Sequence, residues 1–188
     1  MYKYGNGGDT KLDKKLRGYI MTFIGIISES KVFENIKESL KDKEELKVNL
    51  IHINKKSVEN IKNIKFETII IDSGLENLDK QTTIIEKLCQ NAKYLVVNTD
   101  VNLIFNLSKY KKSSIITYGL NQKATVTISS ITDTSILIFL QKNIKNINGK
   151  IFGIGEKLLK IKEDSKLKTY EILIIYIILL INSNSIIQ

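Results

Sequence analysis

Residues 21–119 alternate between short apolar runs and segments with helical periodicity, and this alternation is what most constrains the fold. The apolar runs are MTFIGII (21–27), VNLIHI (48–53), ETIIID (67–72), KYLVVN (93–98) and SSIITYG (113–119). Short apolar runs bounded by polar segments are typical of buried strands. Strands that alternate with helices connect through right-handed parallel crossovers. The sequence therefore predicts an α/β fold with a parallel, doubly wound sheet of about five strands.

The segments between these runs predict helices. Residues 31–46 (KVFENIKESLKDKEEL) place apolar side chains at Val32/Phe33, Ile36 and Leu40, with charged residues between them, as in an amphipathic helix. Further helices are predicted at 57–64, with Ser57 as its N-cap, at 78–92 and at 102–110.

The pattern changes after Gly119. Residues 124–131 and 135–141 alternate with period two, and residues 149–162 continue in the same style, so a β-rich meander is expected. Asn148-Gly149 predicts a two-residue hairpin turn. The chain then ends in an apolar helix at 169–182, whose core ILIIYIILLI (172–181) is too short to cross a bilayer, which needs about 20 residues. We expect a buried C-terminal helix and no membrane span, with membrane association as the alternative.

Residues 1–20 differ in composition from the rest. They hold four glycines, five basic and two acidic side chains and few apolar ones, which predicts a flexible basic arm. The domain organisation is therefore an arm at 1–20 followed by one α/β domain at 21–188. No signal peptide is recognisable, and the single cysteine, Cys89, excludes an internal disulfide, so a cytoplasmic location is expected.

The net charge of +9 raises the question of nucleic-acid binding. The basic residues are almost all lysine, and Arg17 is the only arginine, although arginine is the usual partner of phosphates and guanine edges. The abundance of Ile, Lys and Asn and the lack of Pro and Trp are typical of coding bias in an AT-rich genome. Composition therefore argues against a nucleic-acid partner.

The first strand-to-helix loop, IISESKVFE (26–34), is the usual phosphate site of this architecture. It has no glycine after Gly25, and Glu29 adds negative charge where a phosphate would sit. The sequence therefore predicts that this loop does not cradle a phosphate.

Polar side chains follow two other strands. Asp72 and Ser73 follow the third, and Asn98 and Asp100 the fourth, so all four are expected along one edge of the sheet. This edge is compatible with a site for a nucleotide and Mg²⁺, and equally with helix capping by Asp72/Ser73 and Thr99/Asp100. His52 is the only histidine, so no zinc ligand set exists, and no Ser–His–Asp or Cys–His pair predicts a catalytic residue.

Residues 94–131 resemble the central domain of the Mur ligase family, ATP-dependent amide-forming enzymes. In that family a strand ends in Asn-x-Asp-Asp; here Asn98 and Asp100 match, and Val101 replaces the second Asp. Tyr118-Gly119-Leu120 matches a later element, residues 124–131 an alternating strand, and residues 168–186 the closing helix. DSGL (72–75) is similar to the family's acidic, serine-containing Mg²⁺ segment.

The departures from this family bear on activity. The Gly-Lys-Thr loop is missing at 28–32, about a helix and a loop are missing before Tyr94, and no C-terminal domain is recognised. The resemblance therefore implies a non-catalytic, protein-binding or scaffolding domain without cofactor, whose partner is another protein or a second copy. By family association its role would be in bacterial cell-envelope or spore assembly. The alternatives are a Mg-ATP-binding enzyme or sensor using Asp72, Ser73, Asn98 and Asp100, and nucleic-acid binding through the arm and residues 111–150.

Overall fold

The computed structural model describes residues 22–43, 45–73, 78, 81–101, 106–161 and 166–182. The predicted arm at 1–20 lies outside the described residues. The described chain forms ten strands, three α-helices and one short 3-10 turn. The strands are β1 (Thr22–Ile27), β2 (Val48–His52), β3 (Thr68–Ile71), β4 (Tyr94–Asn98), β5 (Ser114–Tyr118), β6 (Val126–Ile131), β7 (Ser135–Leu140), β8 (Ile144–Lys145), β9 (Ile151–Phe152) and β10 (Gly155–Lys160).

Eight strands form one sheet in the order β10-β7-β6-β5-β4-β3-β1-β2. Strands β1 to β5 coincide with the five apolar runs and are parallel to one another, which confirms the predicted α/β class. β6 continues the parallel direction but meets β5 only at Tyr118↔Val126. β7 and β10 are antiparallel to their neighbours and form the meander. The order 2-1-3-4-5 in the parallel part is one of the common doubly wound orders.

Helices cover both faces of the sheet. Helices α1 (Ser30–Leu40) and α3 (Thr169–Asn182) pack with side chains of one face, including Ile26 and Val96. Helix α2 (Thr82–Asn91) packs on the other face, which includes Leu95. α3 is buried over most of its length, so the predicted C-terminal buried helix is confirmed.

The helix predicted at 57–64 is wrong. Residues 55–63 form successive hydrogen-bonded turns instead. The Asn54 side chain accepts hydrogen bonds from the backbone N–H groups of Lys56 (2.9 Å) and Ser57 (3.1 Å), so Asn54, not Ser57, opens the segment. Asn60 and Asn63 lie within it, and asparagine competes with the helix by bonding to nearby backbone.

The other predicted helices are shorter than expected. α1 ends at Leu40 and α2 begins at Thr82. Of the helix predicted at 102–110, residues 102–105 lie outside the described part, and Leu107–Lys109 forms a 3-10 turn. The Asn106 side chain accepts the Ser108 N–H at 3.0 Å and starts that turn.

Strands β8 and β9 form the hairpin predicted around Asn148-Gly149, but its loop is longer than two residues. The Asn146 N–H donates to the Lys150 carbonyl at 2.8 Å, which leaves three residues between them. The Asn146 side chain accepts from the Asn148 and Lys150 N–H groups, and Gly149 adopts a φ of 85°. Asn146 therefore organises the turn from the position just before the loop, which a dipeptide pattern does not reveal.

Within the part of the chain that is described, no helix combines the length and apolarity needed to traverse a bilayer. The described part of α3 has 14 residues.

Candidate functional site

Three neighbouring parallel strands bring their polar ends together at the carboxyl edge of the sheet. Asp72 follows β3, Asn98 ends β4 and Tyr118 ends β5. The Asn98 side-chain amide donates to Asp72 Oδ1 at 3.2 Å, and the Tyr118 hydroxyl donates to the same oxygen at 2.7 Å. All three residues are buried, Asp72 with 7% of its surface exposed. A buried carboxylate is tolerated when donors such as these satisfy it.

Tyr118 remains a donor throughout the physiological range. Burial and then the negative charge of Asp72 raise the pKa of Tyr118 well above its ordinary value. The hydroxyl therefore holds its proton toward Asp72 and serves as a structural donor rather than a base.

Asp100 extends this network toward solvent. Its backbone N–H donates to the Asn98 side-chain oxygen at 2.9 Å. Its carboxylate accepts hydrogen bonds from the Leu120 N–H, from the Asn121 side-chain amide at 2.6 Å and from the Tyr170 hydroxyl at 3.0 Å. The β4–β5 loop, the β5–β6 loop and the start of α3 are thus joined at one carboxylate.

These contacts set the protonation of Asp100. Partial burial raises the pKa of Asp100, but hydrogen bonds from Asn121, the Leu120 amide and Tyr170 outweigh burial, and the pKa is lower than its ordinary value. In return, burial and the Asp100 carboxylate raise the pKa of Tyr170. Asp100 is therefore an ionised acceptor at neutral pH.

Gly119 explains how close the two loops approach each other. A Cβ atom at Gly119 would lie 2.7 Å from Asp100 Oδ2 and 2.9 Å from Oδ1. Because three donors fix this carboxylate, it has little freedom to move away, and the close approach requires glycine.

Ser73, the fourth predicted site residue, is attached more loosely. Its hydroxyl lies 3.4 Å from Asp72 Oδ2, and the residue is half-buried. The structure therefore joins Asp72, Asn98 and Asp100 through hydrogen bonds and places Ser73 beside them.

Three side chains of the network were not among the predicted site residues: those of Tyr118, Asn121 and Tyr170. Tyr118 lies at the carboxyl end of a strand, which is the same signal that identified Asn98. Its position alone could therefore have identified Tyr118 as a site residue. Tyr170 lies 70 residues from Asp100 along the chain, and no local pattern predicts such a contact.

Side chains pack closely where β1 leads into the first strand-to-helix loop (26–34). α1 begins at Ser30 without a side-chain N-cap bond, and the Ser28 hydroxyl donates to the Glu29 carbonyl at 3.1 Å. A Cβ atom at Gly25 would lie 2.5 Å from Ile53 Cδ1 and 3.2 Å from the Phe66 ring. The glycine in β1 therefore admits these two side chains against the strand.

A cavity of about 490 Å³ opens beside this loop, at the carboxyl ends of β1 and β2. Its wall includes Ser28, Ser30, His52, Lys55, Lys56 and Ser73. A crevice next to β1, where the strand order reverses, is where doubly wound sheets bind ligands.

His52 is fully engaged at the wall of this cavity. Its Nε2 donates to the Ser28 carbonyl at 2.9 Å, and its Nδ1 accepts from the Asn54 side-chain amide at 3.1 Å. Its ring stacks on Phe33 with centroids 4.7 Å apart. Both ring nitrogens are used within the chain, so His52 links β2 to the β1–α1 loop.

Metal-ligating and nucleophilic groups are scattered elsewhere. In the described part of the chain, no three His, Cys, Asp or Glu side chains are grouped so that they could hold a metal ion. Cys89 is buried in α2, and burial, followed by the nearby Glu86, raises its pKa to about 12. The Cys89 thiol is therefore a core side chain without thiolate reactivity.

The fold and the hydrogen bonds at the carboxyl ends of β3, β4 and β5 together define the class of this protein. It is a doubly wound α/β domain whose polar side chains at these strand ends bond to one another. No protein-family model matches the chain, and no curated protein matches it. The similarity of residues 94–131 to Mur ligases therefore stays a prediction from the sequence.

Proposed function

We propose that the chain is a non-catalytic, Mur-ligase-like domain that works as a protein-binding or scaffolding module. The observation that supports this most is that the polar side chains of the carboxyl edge satisfy one another. Asp72 accepts from Asn98 and Tyr118, and the Asp100 carboxylate accepts from three donors of its own chain. An edge organised in this way holds loops together.

The same contacts oppose a catalytic Mg²⁺ at this edge. Mg²⁺ requires near-octahedral oxygen ligands at about 2.0–2.1 Å. The Asn98 and Tyr118 donors share Asp72 Oδ1, and the Tyr170 hydroxyl donates to Asp100, so a metal ion would compete with these donors for both carboxylates. Turning Asp72 Oδ1 away would leave the buried Asn98 and Tyr118 donors unpaired, at about 1–3 kcal/mol each. A role in cell-envelope or spore assembly belongs to this proposal through the family resemblance, and a cytoplasmic location through the single cysteine.

The test is the assembly state of the chain in its native cells. We expect a tagged chain to co-purify in a complex heavier than the 21.5 kDa monomer and to show no ATP turnover. A chain that is strictly monomeric and without partners would count against the proposal, and ATP turnover would refute it.

The cavity beside the β1–α1 loop favours a second candidate, a Mg-ATP-binding sensor or enzyme. It combines the N-terminus of α1 with Lys55 and Lys56, which attract phosphate, although Glu29 on the same wall opposes it. Calorimetry with Mg-ATP separates the candidates. Micromolar binding that is lost in Lys55→Glu/Lys56→Glu at the cavity, but kept in the control Asp133→Ala at an exposed loop, would support the sensor; absence of heat would eliminate it.

A further inference from the structure

Strand β10 forms the end of the eight-stranded sheet. It pairs with β7 on one side, and no described strand pairs with its other side. An exposed edge strand presents free N–H and C=O groups and is a template for another strand.

The register of the β7–β10 ladder decides which groups face outward. The Ile161 N–H donates to the Thr134 carbonyl at 2.8 Å, and the antiparallel pairs continue from Lys160↔Ser135 to Gly155↔Leu140. Because hydrogen-bonded pairs alternate, Leu159, Lys157 and Gly155 direct their backbone groups toward β7. Glu156, Leu158 and Lys160 direct theirs toward the open edge.

These three residues also share one face of the sheet, since side chains alternate along a strand. Glu156 and Lys160 are exposed, and Leu158 is 60% exposed although it is a large apolar side chain. The open edge thus carries an acid, a leucine and a base at every second position.

We propose that a second copy of this chain pairs with β10 along this edge, antiparallel, with the two-fold axis at Leu158. Glu156 then faces Lys160 of the second copy, and Leu158 faces Leu158 of the second copy. Each of the three pairs exchanges two backbone hydrogen bonds, about six in all. The contact is isologous, so the two sheets continue into one.

The charges select this register among the neighbouring ones. With the axis at Glu156 or Lys160, like charges stand opposite each other. With the axis at Lys157, the Lys157 side chains of the two copies face each other. With the axis at Leu159, Leu158 faces Lys160 of the second copy. Only the axis at Leu158 gives two opposite-charge pairs and one leucine contact, both of which stabilise facing strands. β2, the strand at the other end of the sheet, carries no Lys, Arg, Asp or Glu, so it lacks the charge pattern that selects a register at β10.

This inference rests on the proposed binding role and names one partner, a second copy of the chain. Analytical ultracentrifugation of the full chain, at concentrations from about micromolar to several hundred micromolar, measures this dimerisation. We expect a dimer whose dissociation constant rises at least ~10-fold in Glu156→Lys and in Lys160→Glu, because each change creates two like-charge pairs. The double variant, which exchanges the two charges, is expected to restore dimerisation.

A disulfide cross-link tests the axis directly. In a Cys89→Ala background, Leu158→Cys is expected to form a covalent dimer, since facing Cα atoms of a hydrogen-bonded pair lie about 5.5 Å apart, within disulfide range. Lys157→Cys in the same background is the matched control and is expected to stay uncrosslinked, because Lys157 faces Leu159 of the second copy.

A chain that stays monomeric at several hundred micromolar, or a dimer that ignores both charge reversals, would overturn this inference. Neither result would contradict the proposed binding role, because the chain could still form a complex with a different protein in native cells. ATP turnover would instead refute the proposed function and leave the β10 dimer standing, so the two failures are distinguishable.

Discussion

Among single residues, Asp72 has the greatest structural importance at the carboxyl edge. It is buried, it follows the central strand β3, and two donors from the next two strands converge on its Oδ1. Its carboxylate thereby fixes the ends of β3, β4 and β5 relative to one another.

Replacing this carboxylate should be costly. Asp72→Ala leaves the buried Tyr118 hydroxyl and the Asn98 amide without their acceptor, and we expect a loss of about 2–4 kcal/mol of unfolding free energy. Urea denaturation followed by circular dichroism measures it. Tyr118→Phe removes one donor and leaves Asp72 bonded to Asn98, so its loss should be smaller, about 1–2 kcal/mol. A loss below ~0.5 kcal/mol for Asp72→Ala would contradict the structural role given to this residue.

Asp100 predicts a specific dependence of stability on pH. Its pKa in the folded chain is lower than in the unfolded chain, where it is about 3.9. Ionised Asp100 therefore stabilises the fold above about pH 4, and this contribution is lost as the pH falls through the folded pKa. The difference in unfolding free energy between wild type and Asp100→Asn should be present at pH 6 and shrink below pH 4.

The matched control is Asp133→Asn, an exposed residue between β6 and β7. A difference for Asp100→Asn that grows on acidification would show that the hydrogen bonds to Asp100 do not favour its charged form.

Among the structural elements, α3 combines an apolar surface with one buried charge. Its residues are apolar on nearly all sides, and it packs on the same face of the sheet as α1 and against α1 itself. Glu171 in its first turn is 1% exposed. The Glu171 carboxylate accepts the Lys168 N–H at 2.8 Å and the Asn35 side-chain amide at 2.9 Å. The first contact is the backward half of a capping box, and the second ties α3 to α1.

Loss of Glu171 should therefore weaken the start of α3. Glu171→Ala leaves one backbone and one side-chain donor unpaired, and we expect a loss of about 2–4 kcal/mol. Glu171→Gln keeps one acceptor oxygen and should lose less. Thermal unfolding of the three chains measures both. Equal losses in the two variants would contradict this account, because glutamine keeps the side-chain volume and one of the two acceptor oxygens that alanine lacks.

At the scale of the whole molecule, lysine side chains cluster at the amino ends of the parallel strands, opposite the carboxyl ends that hold Asp72 and Asp100. A cavity of about 700 Å³ there is lined by Lys62, Lys65, Lys87, Lys93 and Lys112. Two of these lysines pair with carboxylates, Lys62 with Glu59 at 3.8 Å and Lys93 with Glu67 at 3.3 Å. The cleft stays positive, but the described residues that line it include no arginine and no aromatic side chain for base stacking.

We therefore expect at most weak, unspecific attraction of nucleic acids to this cleft. Filter binding at about 0.15 M salt should show no retention of single- or double-stranded probes, because attraction by a few lysines is screened. Retention that persists at this salt concentration and disappears in Lys65→Glu/Lys112→Glu would establish nucleic-acid binding instead.

The sequence by itself determined the positions of the parallel strands and of the final helix. The five parallel strands, the meander and the apolar final helix follow from local periodicity, because fully buried parallel strands must be apolar along their whole length. It also determined which strand ends carry Asp72, Ser73, Asn98 and Asp100, since strand direction fixes the edge at which they lie.

Only the tertiary structure decided what those side chains do. Tyr118 and Tyr170 reach Asp72 and Asp100 from 46 and 70 residues away, and Asn54 replaces a helix at 57–64 by turns. The outward direction of Glu156, Leu158 and Lys160 depends on the register with β7, which neighbouring residues of β10 do not encode. Periodicity reports burial of each segment, whereas hydrogen-bond partners depend on distances between segments that the chain fixes only when it folds.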